Sequence, residues 1–395
     1  MKKFLKYITH IDHLIIVLLA FLFTGILGLI TFNVNFLNPV ERSLDNFSLS
    51  DMFFQIEHSS EIKKNELITL VDMTDLHNRG DIALLLEQID ECHPLCVGVD
   101  LIFEGEKEDS IGNVLLKEVI SNSQNDFVFS SKLIEYNDET DAFDKMVSSF
   151  CASQLNLEEA YTNVVEEDAS GTIRDFTIKR KYGNNVILSF PARIASVIDN
   201  SIVNDMENDL LINYGNEDFI VVPYDKIEKN RELLEGRIVL VGTMKEESDM
   251  HNTPLGKLPG LQIQAYSLLT LLEHDQITSI PRWLGWLLSF VICYILEIVI
   301  DLFYQITKRN PSSVIMVFFR ESNFFSILML LIFSVLLCWL MFIFFVDHDI
   351  LFYGEVTLAL MALTCVGRDL YMSIIKAFAA RYNNKFINAS LMTED

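Results

Sequence analysis

No catalytic signature is visible in the 395 residues of this chain. Gly-x-Ser-x-Gly, His-Glu-x-x-His, the P-loop and the dinucleotide-binding glycine run are all missing, so the sequence offers no nucleophile elbow, zinc-protease helix or glycine-rich phosphate cradle. The six cysteines are scattered without metal-ligand spacing, so no metal site and no cofactor is expected from them. Positive charge is also scarce. Thirty Lys and Arg stand against 55 Asp and Glu, a formal net charge of −25. Such a surface disfavours nucleic acid and anionic lipid headgroups as partners.

Apolar residues, by contrast, are abundant: 50% of the chain, with a mean hydropathy of +0.29. The excess is concentrated in four runs, at 13–34, 283–303, 324–346 and 350–367, and we expect four transmembrane helices there. No small-residue cleavage pattern follows the first run, so it reads as a retained anchor. Lys2, Lys3 and Lys6 precede it, Lys308, Arg309 and Arg320 lie between the second and third runs, and Arg368, Lys376, Arg381 and Lys385 follow the fourth. The positive-inside rule puts all of them in the cytoplasm. Residues 1–12 and 368–395 are then cytoplasmic, and the acidic region 36–280 lies outside the membrane of a bacterial cell.

That region reads as one α/β domain with a mainly parallel sheet and flanking helices. Residues 66–73 (ELITLVDM), 96–103 (CVGVDLIF) and 237–241 are apolar, β-branched runs of the kind that fill buried parallel strands. Amphipathic helices are expected at 81–92, 112–122, 189–199 and 261–272, and an opening helix at 39–56. A third strand is expected at 126–133, another at 162–167, short strands at 210–214 and 219–222, a short helix at 224–230, and a hairpin in 169–183. After the strand at 237–241 the chain is expected to run through an irregular loop before its next helix. Cys92 and Cys96 flank Pro94 and admit a disulfide in an oxidising compartment, with Cys151 then unpaired.

The closing stretch, 236–265, carries a wider pattern: Gly236, the run 238–242, Asp249, Thr253, Pro254, Pro259, Gly260 and Ala265. With Arg42 and Asp45 near the start and Asp168, Gly171 and Arg174 in the middle, the order of these residues resembles the CHASE2 domain, an extracytoplasmic sensory module of bacterial membrane receptors. The resemblance spans roughly residues 40–275. It implies a sensory, non-enzymatic role. Two departures stand out. Gln264 replaces a histidine found in many members, and the segment after the first strand is shorter, with only Arg79 and Gly80 matching. Members usually carry a kinase or cyclase output domain after the last span. The short tail here predicts a sensor that signals through a separate partner in the membrane or cytoplasm, with a homodimer as one option.

Three strands end in acids, and a parallel sheet gathers such ends at one edge. Asp72, Asp75, Asp100, Asp249 and Thr253 are therefore the expected binding residues for a small ligand or protein, although aspartates also cap helices and shape turns. LVDMTD (70–75) resembles the nucleophile loop of haloacid-dehalogenase-like phosphatases, but its aspartates stand three residues apart where that loop needs two. Within the membrane, Glu297 is expected to face the bundle, while Asp301 has the option of reaching the interface near Lys308. Residues 368–386 read as a helix continuing inward, with Leu370, Ile374 and Phe378 as a partner-binding stripe. The competing readings are a membrane scaffold whose outer domain binds another protein, and an extracytoplasmic hydrolase.

Overall fold

The computed structural model describes residues 7–33, 49–60, 62–106, 110–163, 171–204, 206–274, 276–309, 313–321, 324–352, 354–379, 381 and 390. Arg42, Asp45, Asp168, Lys385 and the greater part of the strand expected at 162–167 lie outside them. The chain divides into two compact units, one made of residues 1–49 with 278–395 and one of residues 50–277.

The first helix, α1 (Ile11–Asn33), belongs to the first unit. The second unit opens with α2 (Leu49–Ser60) and continues through β1 (Lys63–Asp72), α3 (Arg79–Asp90), β2 (Cys96–Val99), α4 (Ser110–Asn122), β3 (Phe127–Asn137), β4 (Ala142–Val147) and β5 (Glu158–Tyr161). Then follow β6 (Asp175–Thr177), β7 (Lys179–Tyr182), β8 (Asn185–Leu188), α5 (Phe190–Ile198), β9 (Asp209–Leu211), β10 (Glu217–Pro223), β11 (Ile238–Gly242), β12 (Met250–Thr253), β13 (Gly256–Pro259) and α6 (Gly260–Leu272).

The main sheet runs β10-β1-β11-β2-β3-β4-β7-β8, with β5 also paired to β3. The pairs β10/β1, β1/β11, β11/β2, β2/β3 and β3/β5 are parallel. Parallel strands are covered on both faces, which is why β1, β2 and β11 are apolar in nearly every position. Val97, Val99, Val239 and Val241 pack with Ile82, Leu86, Leu116 and Val119 of α3 and α4. Gly98 faces the other way. A Cβ there would lie 2.6 Å from Ile194 and 2.9 Å from Phe190, both of α5, so glycine lets that helix approach the sheet. The result is a three-layer α/β sandwich.

The strands and helices expected from the apolar runs are present, with shifted ends, and several details differ. The strand expected at 162–167 is preceded by β5, four residues earlier, because β3 accepts it along Val128–Ser131. The expected hairpin at 169–183 is not one hairpin: β6 pairs with β9, and β7 turns back on β8. The loop after β11 is not irregular throughout, since β12 and β13 form a small antiparallel ladder. The strand β4 had no counterpart in the sequence reading. Cys92 and Cys96 are both buried free thiols, and burial pushes the Cys96 thiol up to about 12.

In the first unit, β14 (Thr278–Ser279) precedes α7 (Arg282–Arg309), α8 (Val314–Glu321) and α9 (Phe324–His348), and β15 (Ile350–Leu351) precedes α10 (Glu355–Ala379). Three stretches, Arg282–Lys308, Phe324–His348 and Glu355–Ala379, are long and apolar enough to cross a membrane. The apolar stretch of α1, Ile11–Leu27, is shorter. Three candidate spans therefore stand where four were expected. The last one also moves: Ile350 and Leu351 pair with Thr278 and Ser279, and the helix starts only at Glu355. Its 25 residues span about 37 Å at ~1.5 Å per residue. The helix expected to continue inward from the span at 368 does so, and span and tail form one helix as far as Ala379.

Within this unit α1 packs on α10. Ile16 lies against Tyr371 and Ile375, and a Cβ at Gly367 would come 3.3 Å from the Ile16 carbonyl oxygen. Small residues allow such close approach between apolar helices. Ser289 and Thr357 join α7 to α10 through their hydroxyls at 2.7 Å.

Candidate functional site

The carboxyl ends of β1, β11 and β2 lie side by side. Met73 N donates to the Gly242 carbonyl at 3.0 Å, and Asp100 N to the Val241 carbonyl at 2.8 Å. The chain must leave the sheet here in three loops, and the space between them is where open α/β sheets bind ligands. A cleft of about 680 Å³ opens at this edge, lined by Thr74, His77, Arg79, Phe103, Glu104, Thr243 and other residues of the same loops.

Of the expected binding residues, Asp72 stands behind the cleft. Lys245 Nζ donates to its Oδ2 at 2.6 Å, and the Thr74 hydroxyl and backbone N–H donate to its Oδ1. Burial pushes its carboxyl up, but the bonds from Lys245 and Thr74 outweigh burial and hold it below its ordinary range. Thr74 in turn accepts from Met244 N at 2.9 Å, so Asp72 ties the β1 loop to the β11 loop. Asp75 is exposed in the first of these loops.

Asp100 is different. Its Oδ1 accepts from the Ser130 hydroxyl at 2.7 Å. Burial raises its carboxyl to about 6; the Ser130 bond pulls it down and the charge of Asp249 adds to the rise. Asp249 lies over the start of α6, so close that a Cβ at Gly260 would come 2.7 Å from its Oδ1. His251 Nε2 approaches the same oxygen at 3.5 Å. Two carboxylates thus share one corner of the edge. Thr253 is not with them: it donates to the Gly256 carbonyl and accepts from Leu255 N, closing the turn between β12 and β13. Gln264 is buried, its amide donating to the Thr162 carbonyl at 3.3 Å.

Sequence reasoning missed the cation at the cleft. Arg79 opens α3 behind the N-cap Asn78 and is buried. It donates to Asn113 Oδ1 at 2.5 Å and to the Glu104 carbonyl at 3.0 Å, and its guanidinium lies 4.5 Å from the centre of the Phe150 ring. The only sequence signal was its place beside Gly80 in the shortened segment.

In the first unit Glu297 is fully buried, and Arg368 of α10 donates to it. Asp301 does not reach outward toward Lys308. It too is fully buried and takes the other arm of Arg368 at 2.8 Å. Arg368 pairs with both because they stand one turn apart on α7. Leu370, Ile374 and Phe378 lie on the face of α10 beside Tyr371 and Ile375, which meet Ile16, and are 41%, 40% and 51% exposed. Among the described residues no group of three His, Cys, Asp or Glu could hold a metal ion.

The layered sheet and its carboxyl-edge cleft define an α/β domain, followed in the chain by three helices long and apolar enough to cross a membrane. The family model of the CHASE2 domain matches residues 16–300, and the chain belongs to that family of sensory domains. No curated protein and no solved structure matches it.

Proposed function

We propose that the chain is a bacterial membrane receptor whose extracytoplasmic CHASE2 domain reads a ligand at the carboxyl edge of its sheet and passes the change to a separate partner. The observation that carries this reading is the cleft itself, with polar groups of three loops, Thr74, Glu104 and Thr243, converging on it. Ligand sites of this kind are concave and hold a few fixed polar groups. A ligand changes output only through a difference in its affinity for two states of the protein. The three loops belong to three adjacent strands, so a group held between them opposes their separation. In this reading α1 is a fourth crossing, both termini are cytoplasmic, the domain has no catalytic role, and the inner membrane is the site of action.

The test uses the full chain in lipid nanodiscs. Its thermal unfolding is followed against amino acids, small carboxylates and divalent cations. A saturable rise in melting temperature with at least one of them, lost in His77→Ala or Glu246→Ala, is the expected result. No shift with any of them, together with a stable multiprotein complex on purification, favours a scaffold whose outer domain binds protein.

A further inference from the structure

The membrane unit holds a cluster of ionisable groups that the ligand cleft does not use. Arg368 bridges Glu297 Oε1 and Asp301 Oδ1, and the Tyr7 hydroxyl donates to Asp301 Oδ2. Both oxygens of Asp301 are thereby satisfied. Glu297 Oε2 is buried and has no hydrogen-bond partner among the described residues. His13 of α1 is buried in the same place, and neither of its ring nitrogens has a partner there. Its Nδ1 is 3.7 Å from Glu297 Oε1, a small movement away from a hydrogen bond.

Formal charge decides what the node lacks. Two carboxylates and one guanidinium leave one negative charge uncompensated, and such a charge is costly among apolar helices. Among the described residues the neighbours do not supply the missing positive charge. From the N-terminal segment come Tyr7, His10 and Asp12. Asp12 accepts from Tyr371 at 2.7 Å and Ser390 at 2.9 Å, and His10 sits 3.4 Å from it. From α7 come Cys293 and Tyr294, whose hydroxyl donates to the Ile8 carbonyl at 2.7 Å. From α10 come Cys365 and Asp369. The helix α9 carries no charged side chain before Asp347. His13 is the group placed to balance Glu297.

We propose that His13 and Glu297 form a proton-binding site inside the helix bundle, with the proton on the imidazole and the carboxylate facing it. The proton comes from water and returns to water, and no other bond changes. One histidine, one arginine and two carboxylates then make a neutral node that clamps α1 to α7 and α10. In the chain α1 leads into the CHASE2 domain and α7 leads out of it. A shift of α1 along α7 parts His13 from Glu297 and releases the proton. By linkage, holding the proton favours the clamped arrangement.

The test is nitrogen magnetic resonance of the full chain, histidine-labelled, in lipid nanodiscs near neutral pH. The His13 signals, identified by their loss in His13→Gln, are expected to be those of a doubly protonated ring in the wild type and of a neutral ring in Glu297→Gln. Asp12→Asn should leave them as in the wild type. A neutral His13 in the wild type overturns the proposal, and so does a doubly protonated one in Glu297→Gln. Should Glu297→Gln fail to assemble, infrared spectra of His13→Gln decide. Without the imidazole the node recovers neutrality only by protonating a carboxylate. A carboxylic-acid C=O band absent from the wild type is therefore expected, and its absence overturns the proposal.

Discussion

Arg174 grips Asp51 with two parallel bonds, Nε to Oδ1 at 2.9 Å and Nη2 to Oδ2 at 2.8 Å, across 123 residues of chain. Both side chains are mostly buried. A fork on a carboxylate is directional as well as strong, and it fixes α2 against the segment that leads into β6. Arg174→Lys keeps the charge and gives up the fork. We expect a loss of about 1 kcal/mol in domain stability, and about 2–3 kcal/mol for Arg174→Ala, which leaves Asp51 without this partner. Denaturant unfolding of the full chain, followed by a probe in the domain, measures both. No loss in Arg174→Lys beside a full loss in Arg174→Ala would show that charge alone, and not the fork, holds the helix.

The sheet edge yields a pH-dependent prediction. The carboxyl of Asp100 is raised to about 6 in the folded chain, mainly by burial. An unfolded aspartate titrates near ~3.9. The folded state therefore binds the Asp100 proton more tightly, and its contribution is fully present below about 4 and lost as pH rises through about 6. Asp100→Asn keeps an acceptor for Ser130 and removes the charge. Relative to the wild type it should be more stable above pH ~6, by up to roughly 2 kcal/mol, and should lose that advantage toward pH ~4. Melting temperatures of the two proteins across this range check it. A constant offset at all pH values means that Asp100 does not titrate in this window.

These two sites differ in how far the sequence disclosed them. The strands β1, β2 and β11 were legible because parallel strands bury both faces and so read as unbroken apolar runs. Their order implied that Asp72, Asp100 and Asp249 approach one edge, and the geometry places them there. What each acid does was not legible. Asp72 is neutralised by Lys245, and nothing local in a run of 245 to 249 distinguishes that lysine from a solvated one. Arg79 looked like a remnant of a shortened motif, because its partners Asn113 and Phe150 lie 34 and 71 residues away. Arg368 looked like a cytoplasmic boundary residue for the same reason. A cation at the end of an apolar run reads as the edge of the membrane until its buried partners are known.

Topology is open to a direct check. A cysteine placed at Asn230 should react with a membrane-impermeant reagent on intact cells. One at Lys385 should react only after the cells are opened, both measured against the unsubstituted chain. The reverse pattern would invert the assignment made from the lysines and arginines. Reaction of both from outside would mean an even number of crossings between them, so that one of the three long helices does not span.

The stripe on α10 gives the final prediction. Tyr371 and Ile375 are spent on Ile16, so a second apolar face formed by Leu370, Ile374 and Phe378 has a separate reason to exist. The continuity of α10 from Glu355 to Ala379 makes lipid one possible cover, since the whole helix qualifies as a span. A signalling partner is the other, and the two covers respond differently. A photo-activated side chain at Ile374 should form a protein adduct of defined mass if a partner sits there, and lipid adducts alone if the face meets the bilayer. On the partner reading, Ile374→Glu with Phe378→Glu removes the protein adduct formed from a probe at Leu370 while the chain still inserts and the outer domain still unfolds at its usual temperature. On the lipid reading the same two glutamates sit in hydrocarbon, each at a cost of roughly 2.5–3.5 kcal/mol for a charge near the centre of a span and less toward the interface. Insertion itself then suffers. Intact insertion with loss of the adduct supports the partner, and lipid adducts with impaired insertion show that α10 ends its work inside the membrane.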